Sequence, residues 1–466
     1  MSCRLSDLLD APATARWMSA SGQDEAAARG KAERFAACAT ALGAAGVPDD
    51  APVTAFFVPG RIEVLGRHTD YAGGRTIIAA AEQGFCLAAA GRDDATVHAA
   101  ALDLGEECQF EISPDLTPAM GHWSNYPMTV ARRVARNFPG TLRGATLAFT
   151  SDLPVAAGMS SSSALMVSVF HALAGINALA DRDEYRREIT TPESLAGYLA
   201  TIENGQSFGG LVGDKGVGTF GGSEDHVAML CSRPGMLSQY SYCPVRLERR
   251  IEFPAEYVFA IAASGVVAAK TGEAMAKYNR ASALARAVVA AWNEATGRDD
   301  AHMAAALASD NLDEAAERMR RTLMGCTDGE FTARELLGRF EQFLAENEHV
   351  VAPAGTALAD GALEAFGEFV DRSQAFAETL LGNQIPETSF LARSARELGA
   401  LAACSFGAGF GGSVWALIPR EQAEPLLESW ARKYEAAFPE PFSRASFFTS
   451  RPGPATFELA PAPSAH

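Results

Sequence analysis

Apolar residues follow two patterns along the chain, a helical spacing and short strand-like runs. The change from one pattern to the other marks the boundaries between its predicted segments. Residues 2–46 have helical spacing and are rich in alanine and charged residues, which predicts an N-terminal helical lead-in. From residue 54 the apolar runs become short and are broken by turn residues, which predicts strands of a mostly antiparallel sheet. These runs are TAFFV, IEVLG, TIIAAA, FCLAAAG, TVHAAAL and CQFEI.

Helical spacing returns after this strand region and alternates with loops. Residues 123–137 predict one helix, residues 161–180 a second, and a third is expected near residues 195–203. A long glycine-rich connection then leads to Asp225. We therefore expect Glu203 at the end of one helix and Asp225 at the start of the next.

The pattern changes again after residue 250, which places a domain boundary near residues 245–255. A buried strand at 256–265 precedes the long helix KTGEAMAKYNRASALARAVVAAW and helical segments that continue to about residue 398. The segment CSFGAGFGGSVWALIP, residues 404–419, predicts a glycine turn that leads into a buried strand. The predicted organisation is a lead-in over residues 1–46, an N-terminal domain over 47–250, a C-terminal domain over 251–452, and a partly disordered tail over 453–466.

One stretch, LPVAAGMSSSSALMVSVF at residues 153–170, has the features of an anion site. A strand-like run leads into it, Pro154 and Gly158 mark a turn, and the serines Ser160–Ser163 precede a predicted helix. Unpaired backbone N–H groups and the positive end of the helix dipole meet at such a point. An ordinary serine N-cap on a helix that binds nothing is the alternative. No lysine closes the loop, so it is not a P-loop of the G-K-[ST] type.

A second polar stretch, GRHTDYAGGR at residues 66–75, follows a predicted strand. Together with Arg61, it concentrates Arg67, His68, Asp70 and Tyr71 in a few positions. Loops positioned in this way present side chains to ligands, although a solvated turn is the alternative. The stretch is therefore a candidate for substrate contacts.

Composition limits the classes of function. The chain has 466 residues, 48% of them hydrophobic and 21% charged, which predicts a folded protein of two domains. A net charge of −18 argues against sequence-independent nucleic-acid binding, which needs a basic face. The 8 cysteines are scattered without a C-x-x-C pair, so neither a zinc site nor a disulfide framework is indicated. We expect no membrane span and no secretory signal, and hence a cytoplasmic location.

Three separated motifs resemble one family. PGRIEVLGRHTDYAGG resembles the first signature of the galactokinase branch of the GHMP small-molecule kinases, usually G-R-V-N-L-I-G-E-H-T-D-Y. LPVAAGMSSSSAL is similar to the second, P-x-x-x-G-L-S-S-S-A, and FGAGFGGSVWAL to the third, T-G-A-G-F-G-G. Further similarities, WSNYP and a segment around the motif Y-N-x-R among them, extend the resemblance in order from about residue 57 to residue 417.

The resemblance implies an α+β, two-domain GHMP kinase fold with the active site in the inter-domain cleft, and ATP and Mg²⁺ as cofactors. It assigns Arg61 and Asp225 to catalysis, and Ser162 and Glu203 to the metal. The implied sugar contacts are Arg67, His68, Asp70, Gly222 and Tyr278. The implied nucleotide contacts are Trp123, Tyr126, Gly158, Ser160, Ser161, Ser162, Gly409 and Gly411.

This assignment is chemically consistent with phosphoryl transfer. The reaction needs a phosphate cradle, a metal that neutralises charge, and a carboxylate that accepts the hydroxyl proton. Arg61 beside Asp225 would keep that carboxylate ionised and would stabilise charge during transfer. The structural alternatives are a helix N-cap for Asp225 and a solvated helix end for Glu203.

Two positions depart from the galactokinase pattern. Arg67 stands where galactokinases have a glutamate that contacts the sugar, so the charge is reversed. The base region is GGSEDH rather than G-I-M-D-Q, and about ten extra residues, LVGDKGVGTF, precede it. Either the substrate is anionic at Arg67, or a protein carboxylate such as Glu63 or Asp70 neutralises this arginine.

The leading hypothesis is an ATP-dependent sugar 1-kinase of galactokinase type. The alternatives are a kinase for an anionic sugar, a uronic acid such as galacturonate, and a galactokinase-like sensor that binds sugar and ATP without transferring phosphate. A serine hydrolase is disfavoured, because no G-x-S-x-G elbow is present. The expected partner is a small-molecule monosaccharide, with no nucleic acid, no membrane and no obligate protein partner.

Overall fold

The structure is a computed structural model, and it describes residues 3–154, 157–266, 272–308, 311–326 and 329–460. Some sequence predictions therefore fall in part outside the described residues. They concern residues 155–156 of the serine stretch, the start of the long helix at 270–271, and residues 461–466 of the tail.

The strands form two sheets. In chain order they are β1 (Cys3–Arg4), β2 (Pro52–Leu65), β3 (Arg75–Gly91), β4 (Thr96–Ala101), β5 (Glu106–Glu111), β6 (Ala145–Ser151), β7 (Met236–Ser241), β8 (Arg246–Glu252), β9 (Tyr257–Ala263), β10 (Ala402–Phe406), β11 (Ser413–Pro419), β12 (Ser446–Ser450) and β13 (Phe457–Glu458). The first sheet has the order β1-β2-β3-β6-β4-β5, with β13 on β2 and the β7–β8 hairpin on β3. The second has the order β10-β11-β9-β12.

Helices cover both sheets. They are α1 (Leu5–Leu9), α2 (Ala11–Ala20), α3 (Glu25–Ala44), α4 (Asn125–Asn137), α5 (Ser161–Ile176), α6 (Asp183–Glu188), α7 (Pro192–Asn204), α8 (Glu224–Cys231), α9 (Gly272–Thr296), α10 (Met303–Ala308), α11 (Leu312–Met324), α12 (Ala333–Glu346), α13 (Ala352–Ala359), α14 (Leu363–Phe376), α15 (Pro386–Glu397), α16 (Ala423–Ala437) and α17 (Pro439–Phe442). Among the residues that the structure describes, no helix has the length and apolar character needed to cross a membrane.

The first sheet is antiparallel, as predicted, except where β4 pairs in parallel with β6. Two predicted pairs of short strands are in fact single long strands, because β2 and β3 each continue through an irregular position. In β2 the register shifts between Pro59 and Arg61. A shift of this kind changes the direction in which the following side chains point, and Arg61 is the first of them.

Both faces of the first sheet are covered. Helices α4 and α5 pack on one face in the main core. The lead-in packs on the other face, where Phe35, Cys38 and Leu42 of α3 contact Phe57 and Cys86 of the sheet. The lead-in therefore folds onto the sheet as a structural layer, since it buries an apolar face that would otherwise be exposed.

The two sheets share one core. Phe259 and Trp415 of the second sheet belong to the same buried cluster as Val64 of β2. The Trp415 indole N–H also donates to the backbone carbonyl of Glu63 at 3.1 Å. This contact holds β2, which bears Arg61, against the second sheet.

The tail is ordered over its described residues, 453–460. Gly453 donates its N–H to Ala80 at 2.8 Å, and Thr456 donates to Met229 at 2.7 Å. Strand β13 then pairs with β2, and Leu459 is buried. Ladder hydrogen bonds and apolar burial hold these residues in spite of the proline- and alanine-rich composition.

Candidate active site

A cavity lies where the end of β2, the serine stretch, α7, α8 and the glycine turn of the second sheet meet. All sixteen site residues predicted from the sequence are described, and nine of them line this cavity. They are Arg61, His68, Asp70, Gly158, Ser160, Glu203, Gly222, Asp225 and Tyr278. The chain thus brings together residues separated by more than two hundred positions.

Arg61 and Asp225 form the ion pair that the resemblance implied. The Arg61 Nε donates to Asp225 Oδ1 at 2.7 Å, and Arg61 Nη1 donates to the Gly158 carbonyl at 3.2 Å. Burial alone would lower the pKa of Arg61, but the charges of Asp225 and its neighbours raise it, so the guanidinium stays charged. Asp225 is not the N-cap of α8, because Ser223 occupies that position.

Asp70 connects the polar stretch to the loop before α8. It starts a short 3₁₀ turn, Asp70–Ala72, and its carboxylate accepts the N–H groups of Tyr71 at 2.8 Å and Glu224 at 3.1 Å. A Cβ at Gly222 would overlap Asp70 Oδ2. Only glycine therefore allows the loop to pass this close to the carboxylate.

His68 is neutral in the cavity. Burial first, and then the charge of Arg339, lower its pKa to about 3. Its Nε2 lies 3.2 Å from the carbonyl of Ala408 and its Nδ1 lies 2.8 Å from the Tyr71 hydroxyl. A carbonyl can only accept, so Nε2 carries the proton and Nδ1 accepts from Tyr71. The ring of Tyr278, on α9, lies 5.4 Å from the His68 ring.

The serine stretch and the glycine turn touch each other across the cavity. Ser160, with a positive φ of 60°, immediately precedes α5, and Ser161 and Ser162 form the first turn of that helix. A Cβ at Gly407 would lie 2.8 Å from the Gly158 carbonyl, and Ser413 Oγ donates to the Ala157 carbonyl at 2.6 Å. The backbones of the glycine turn and of the serine stretch therefore approach each other closely.

Glu203 is a buried group and not a solvated helix end. It precedes the last residue of α7 and is 7% exposed. Its carboxylate accepts hydrogen bonds from Ser163 Oγ at 2.7 Å and Thr219 Oγ1 at 3.4 Å. The sequence analysis did not predict that Ser163 and Thr219 contact Glu203. The available signal was the fourth serine of the run, where the family signature has three.

Three family models match the chain. The model described as "GHMP kinases N terminal domain" matches residues 125–212, "GHMP kinases C terminal" matches 356–436, and "Galactokinase galactose-binding signature" matches 46–91. These regions include the polar stretch and the serine stretch that line the cavity.

The chain is thus similar to the galactokinase branch of the GHMP kinases in three separate regions.

Relatives of this branch match parts or most of the chain. A galactokinase of Actinobacillus pleuropneumoniae serotype 5b (strain L20) is 36% identical over 113 residues, which is 24% of this chain and only 29% of that protein. A galactokinase of Roseiflexus sp. (strain RS-1) is 28% identical over 385 residues, covering 81% and 87% of the two chains.

A solved structure shares the fold. The crystal structure of Lactococcus lactis galactokinase complexed with galactose superposes with a TM-score of 0.71 at 24% identity, covering 90% of this chain and 99% of that one. The α+β GHMP kinase fold expected from the sequence is therefore confirmed. The domain boundary near residues 245–255 stays a prediction.

Arg67 does not line the cavity, which corrects the expectation that it contacts the substrate. It is 2% exposed, and its Nη2 donates to Cys404 Sγ at 2.6 Å and to the carbonyl of Ser405. Its Nε lies 3.6 Å from Glu63 Oε1. Of the two carboxylates named in the alternative, Glu63 is the one that lies at ion-pair distance from Arg67, while the hydrogen bonds of the guanidinium go to the second sheet.

The other predicted contacts do not line the cavity. Gly409 and Gly411 belong to the same glycine turn as Gly407, which does line it. Trp123 donates from its indole N–H to Glu106 at 2.7 Å and packs edge-on against Phe149. The predicted contact of Trp123 and Tyr126 with a nucleotide base stays a prediction.

Two further carboxylates line the cavity, and the galactokinase signatures do not contain them. Glu63 stands where the first signature has asparagine, and Glu224 stands where the base region has methionine. Burial raises the pKa of Glu63 to about 7 and the pKa of Glu224 well above its ordinary value. The sequence signal was the departure GGSEDH, which places a glutamate directly before Asp225.

Proposed function

We propose that the chain is an ATP-dependent sugar 1-kinase, which transfers the γ-phosphate of ATP to the anomeric hydroxyl of a monosaccharide. The observation that carries this proposal is the Arg61–Asp225 ion pair, in a cavity that the serine stretch and Glu203 also line. A proton acceptor, a cation and a phosphate-binding loop are the groups that phosphoryl transfer requires.

Asp225 is the proposed general base. Its carboxylate accepts the proton of the attacking hydroxyl, and Arg61 keeps it ionised through the short contact to Oδ1. The same guanidinium lies in position to stabilise the charge that develops on the transferred phosphoryl group. His68 is neutral and cannot take over this electrostatic role.

The phosphates of ATP are proposed to bind at the start of α5. Ser160, Ser161 and Ser162 present hydroxyl and N–H groups there, at the positive end of the helix dipole. Glu203 and Ser162 are the residues that would hold Mg²⁺. The carboxylate of Glu203 suits this ion, which commonly takes only one or two carboxylates because phosphates and water complete its shell. When bound, Mg²⁺ supplies neutralisation of phosphate charge.

The sugar is proposed to lie between the polar stretch and the loop before α8. Asp70 and Tyr278 offer hydrogen-bonding groups there, the His68 ring lies beside Tyr278, and Gly222 lets the loop pass close to Asp70. The cited crystal structure, of Lactococcus lactis galactokinase, is complexed with galactose. We extend to this chain the class of ligand, a hexose, and leave the identity of the sugar to experiment.

The test is ADP formation with a panel of free hexoses, for the wild type and for Asp225→Asn. Loss of a general base reduces the rate by about 10²–10⁴-fold, so we expect a fall in kcat of that size. Asp103→Asn is the matched control, because Asp103 is half-exposed and does not line the cavity. If the kcat of Asp225→Asn is within a few-fold of the wild-type value, Asp225 is not the general base. If the wild type forms no ADP with any of the sugars, the proposed function is wrong.

A further inference from the structure

Carboxyl groups outnumber cationic side chains in the cavity. Among its lining residues, all of which are described, Arg61 has the only permanent positive charge. Five carboxylates line the same cavity: Glu63, Asp70, Glu203, Glu224 and Asp225. A bound Mg²⁺ at Glu203 would reduce this excess without removing it. A ligand without charge leaves the imbalance as it is, and an anionic ligand increases it.

Arg61 satisfies only one of its three neighbouring carboxylates well. Its Nη2 lies 2.6 Å from Asp225, whereas its Nε lies 3.5 Å from Glu224 Oε1 and its Nη2 lies 3.9 Å from Glu63 Oε2. The second guanidinium near Glu63 is Arg67, at 3.6 Å from Oε1. None of these three longer approaches, two to Glu63 and one to Glu224, has the geometry of a hydrogen bond.

Two carboxylate oxygens consequently remain without a donor. Glu63 Oε1 and Glu224 Oε1 are buried and accept no hydrogen bond from any described residue. The residues themselves are 4% and 5% exposed. By contrast, Asp70 accepts two N–H groups. A buried acceptor without a donor is costly, so a ligand that donates hydrogen bonds to these two oxygens would gain free energy of binding.

We propose that Glu63 and Glu224 bind a protonated amino group of the substrate, so that the substrate is an amino sugar. This inference rests on the proposed function, since it names the substrate class of the same site. An ammonium group supplies three donors and a positive charge, whereas a hydroxyl supplies one donor and no charge.

The charges around the two glutamates also predict how binding depends on pH. Arg61, Arg67, Asp70 and Asp225 surround Glu63 and Glu224, and burial raises the pKa of both glutamates. A cation binds their ionised forms preferentially. Binding of an amino sugar should therefore release protons and tighten as the pH rises from 6 towards 8, up to the pKa of the amine itself.

The experiment compares galactose and glucose with their aminodeoxy analogues at carbons 2, 3, 4 and 6. We measure kcat/KM for ADP formation and, in parallel, affinity by titration calorimetry. Hydrogen bonds to charged groups contribute about 1.5–3 kcal/mol, so at least one amino analogue should exceed its parent sugar by about tenfold or more. Galacturonate should be a poorer substrate than galactose.

Two variants and a matched control test the assignment to residues. Glu224→Gln and Glu63→Gln keep the shape of the side chain and remove its charge. Each should therefore lower the ratio of kcat/KM for the amino analogue to kcat/KM for the parent sugar towards one. Glu346→Gln is the control, because Glu346 is equally buried beside Arg67 but does not line the cavity. It should leave the preference unchanged. If a variant does not fold, the comparison of sugars with the wild-type protein still tests the inference.

The outcomes separate this inference from the proposed function. If the parent sugars are phosphorylated and no amino analogue is preferred in either assay, the inference is wrong and the kinase function stands. If no sugar gives ADP but an amino analogue binds preferentially, recognition stands and the kinase function fails. If neither turnover nor binding occurs, or if galacturonate is preferred, the inference is overturned.

Discussion

Arg61 has three carboxylates within 4 Å, and this crowding determines how each of them titrates. The contact to Asp225 is the shortest, so the proposed base interacts most directly with the charge of the guanidinium. Glu63 and Glu224 receive less compensation, and burial raises the pKa of both. At the residue scale, the Arg61–Asp225 ion pair therefore lies beside two carboxyl groups with raised pKa values.

This arrangement predicts a pH-dependent stability. Burial raises the pKa of Glu63 to about 7 in the folded chain, from an ordinary value of 4.5. The stability that its protonation contributes is fully present below about pH 4.5 and is lost as the pH rises through about 7. Glu63→Gln should therefore gain stability relative to the wild type between pH 5 and pH 8, measured by urea unfolding at both values. A constant difference between the two proteins would contradict the assignment.

The sequence predicted some of these residues and not others, for identifiable reasons. Asp225 and Glu203 could be placed because they flank a loop between two predicted helices, and both lie at those helix ends. Glu63 could have been placed as well, because it is two residues after Arg61 on one strand and so shares its face. The direction of Arg67 could not be predicted, since it depends on contacts with Cys404 and Ser405 of the other sheet.

At the scale of elements, contacts with the 3₁₀ turn at Asp70–Ala72 hold the loop before α8 in place. Asp70 accepts the Glu224 N–H at 3.1 Å, and the backbone at Gly222 passes directly beside the same carboxylate. The loop sets where Asp225 stands. A shift of about 1 Å in a catalytic group is sufficient to reduce a rate by about 10²-fold.

Gly222→Ala should therefore reduce kcat/KM by about tenfold or more while the chain stays folded, because its Cβ would push the loop away from Asp70. Steady-state kinetics and thermal unfolding measure the two effects. Gly30→Ala is the matched control: Gly30 lies inside α3, nothing lies within 4 Å of an added Cβ, and the change should stabilise the helix by about 0.5–1 kcal/mol. Full activity in Gly222→Ala would mean that the loop does not position the base.

Element boundaries were predictable where one periodicity dominated. The helices around Glu203 and Asp225 and the hairpin formed by β10 and β11 agree with the sequence pattern. The long strands β2 and β3 were predicted as pairs of shorter ones, because Pro59 and Gly84 are normally turn residues. In the sheet these two residues face each other at an irregular register position, which the sequence of either strand alone does not reveal.

At the scale of the whole molecule, residues of β2 and of the glycine turn after β10 both line the cavity, and the two sheets share a core. Trp415 donates to the carbonyl of Glu63, and Ser413 donates to the carbonyl of Ala157 in the serine stretch. These contacts hold the serine stretch, the proposed phosphate-binding loop, and the strand that bears Arg61 to the second sheet. The cavity therefore depends on tertiary packing, and in the sequence only the family resemblance indicated that these motifs meet.

The central claim, transfer of phosphate to the anomeric hydroxyl, is tested most directly by phosphorus NMR of the product. With ATP, Mg²⁺ and the preferred sugar, the account predicts a new phosphate monoester whose signal couples to the anomeric proton of the sugar. The corresponding methyl glycoside, in which the anomeric oxygen carries a methyl group, should give no sugar phosphate. A phosphate on another sugar oxygen, or equal phosphorylation of the methyl glycoside, would contradict the account.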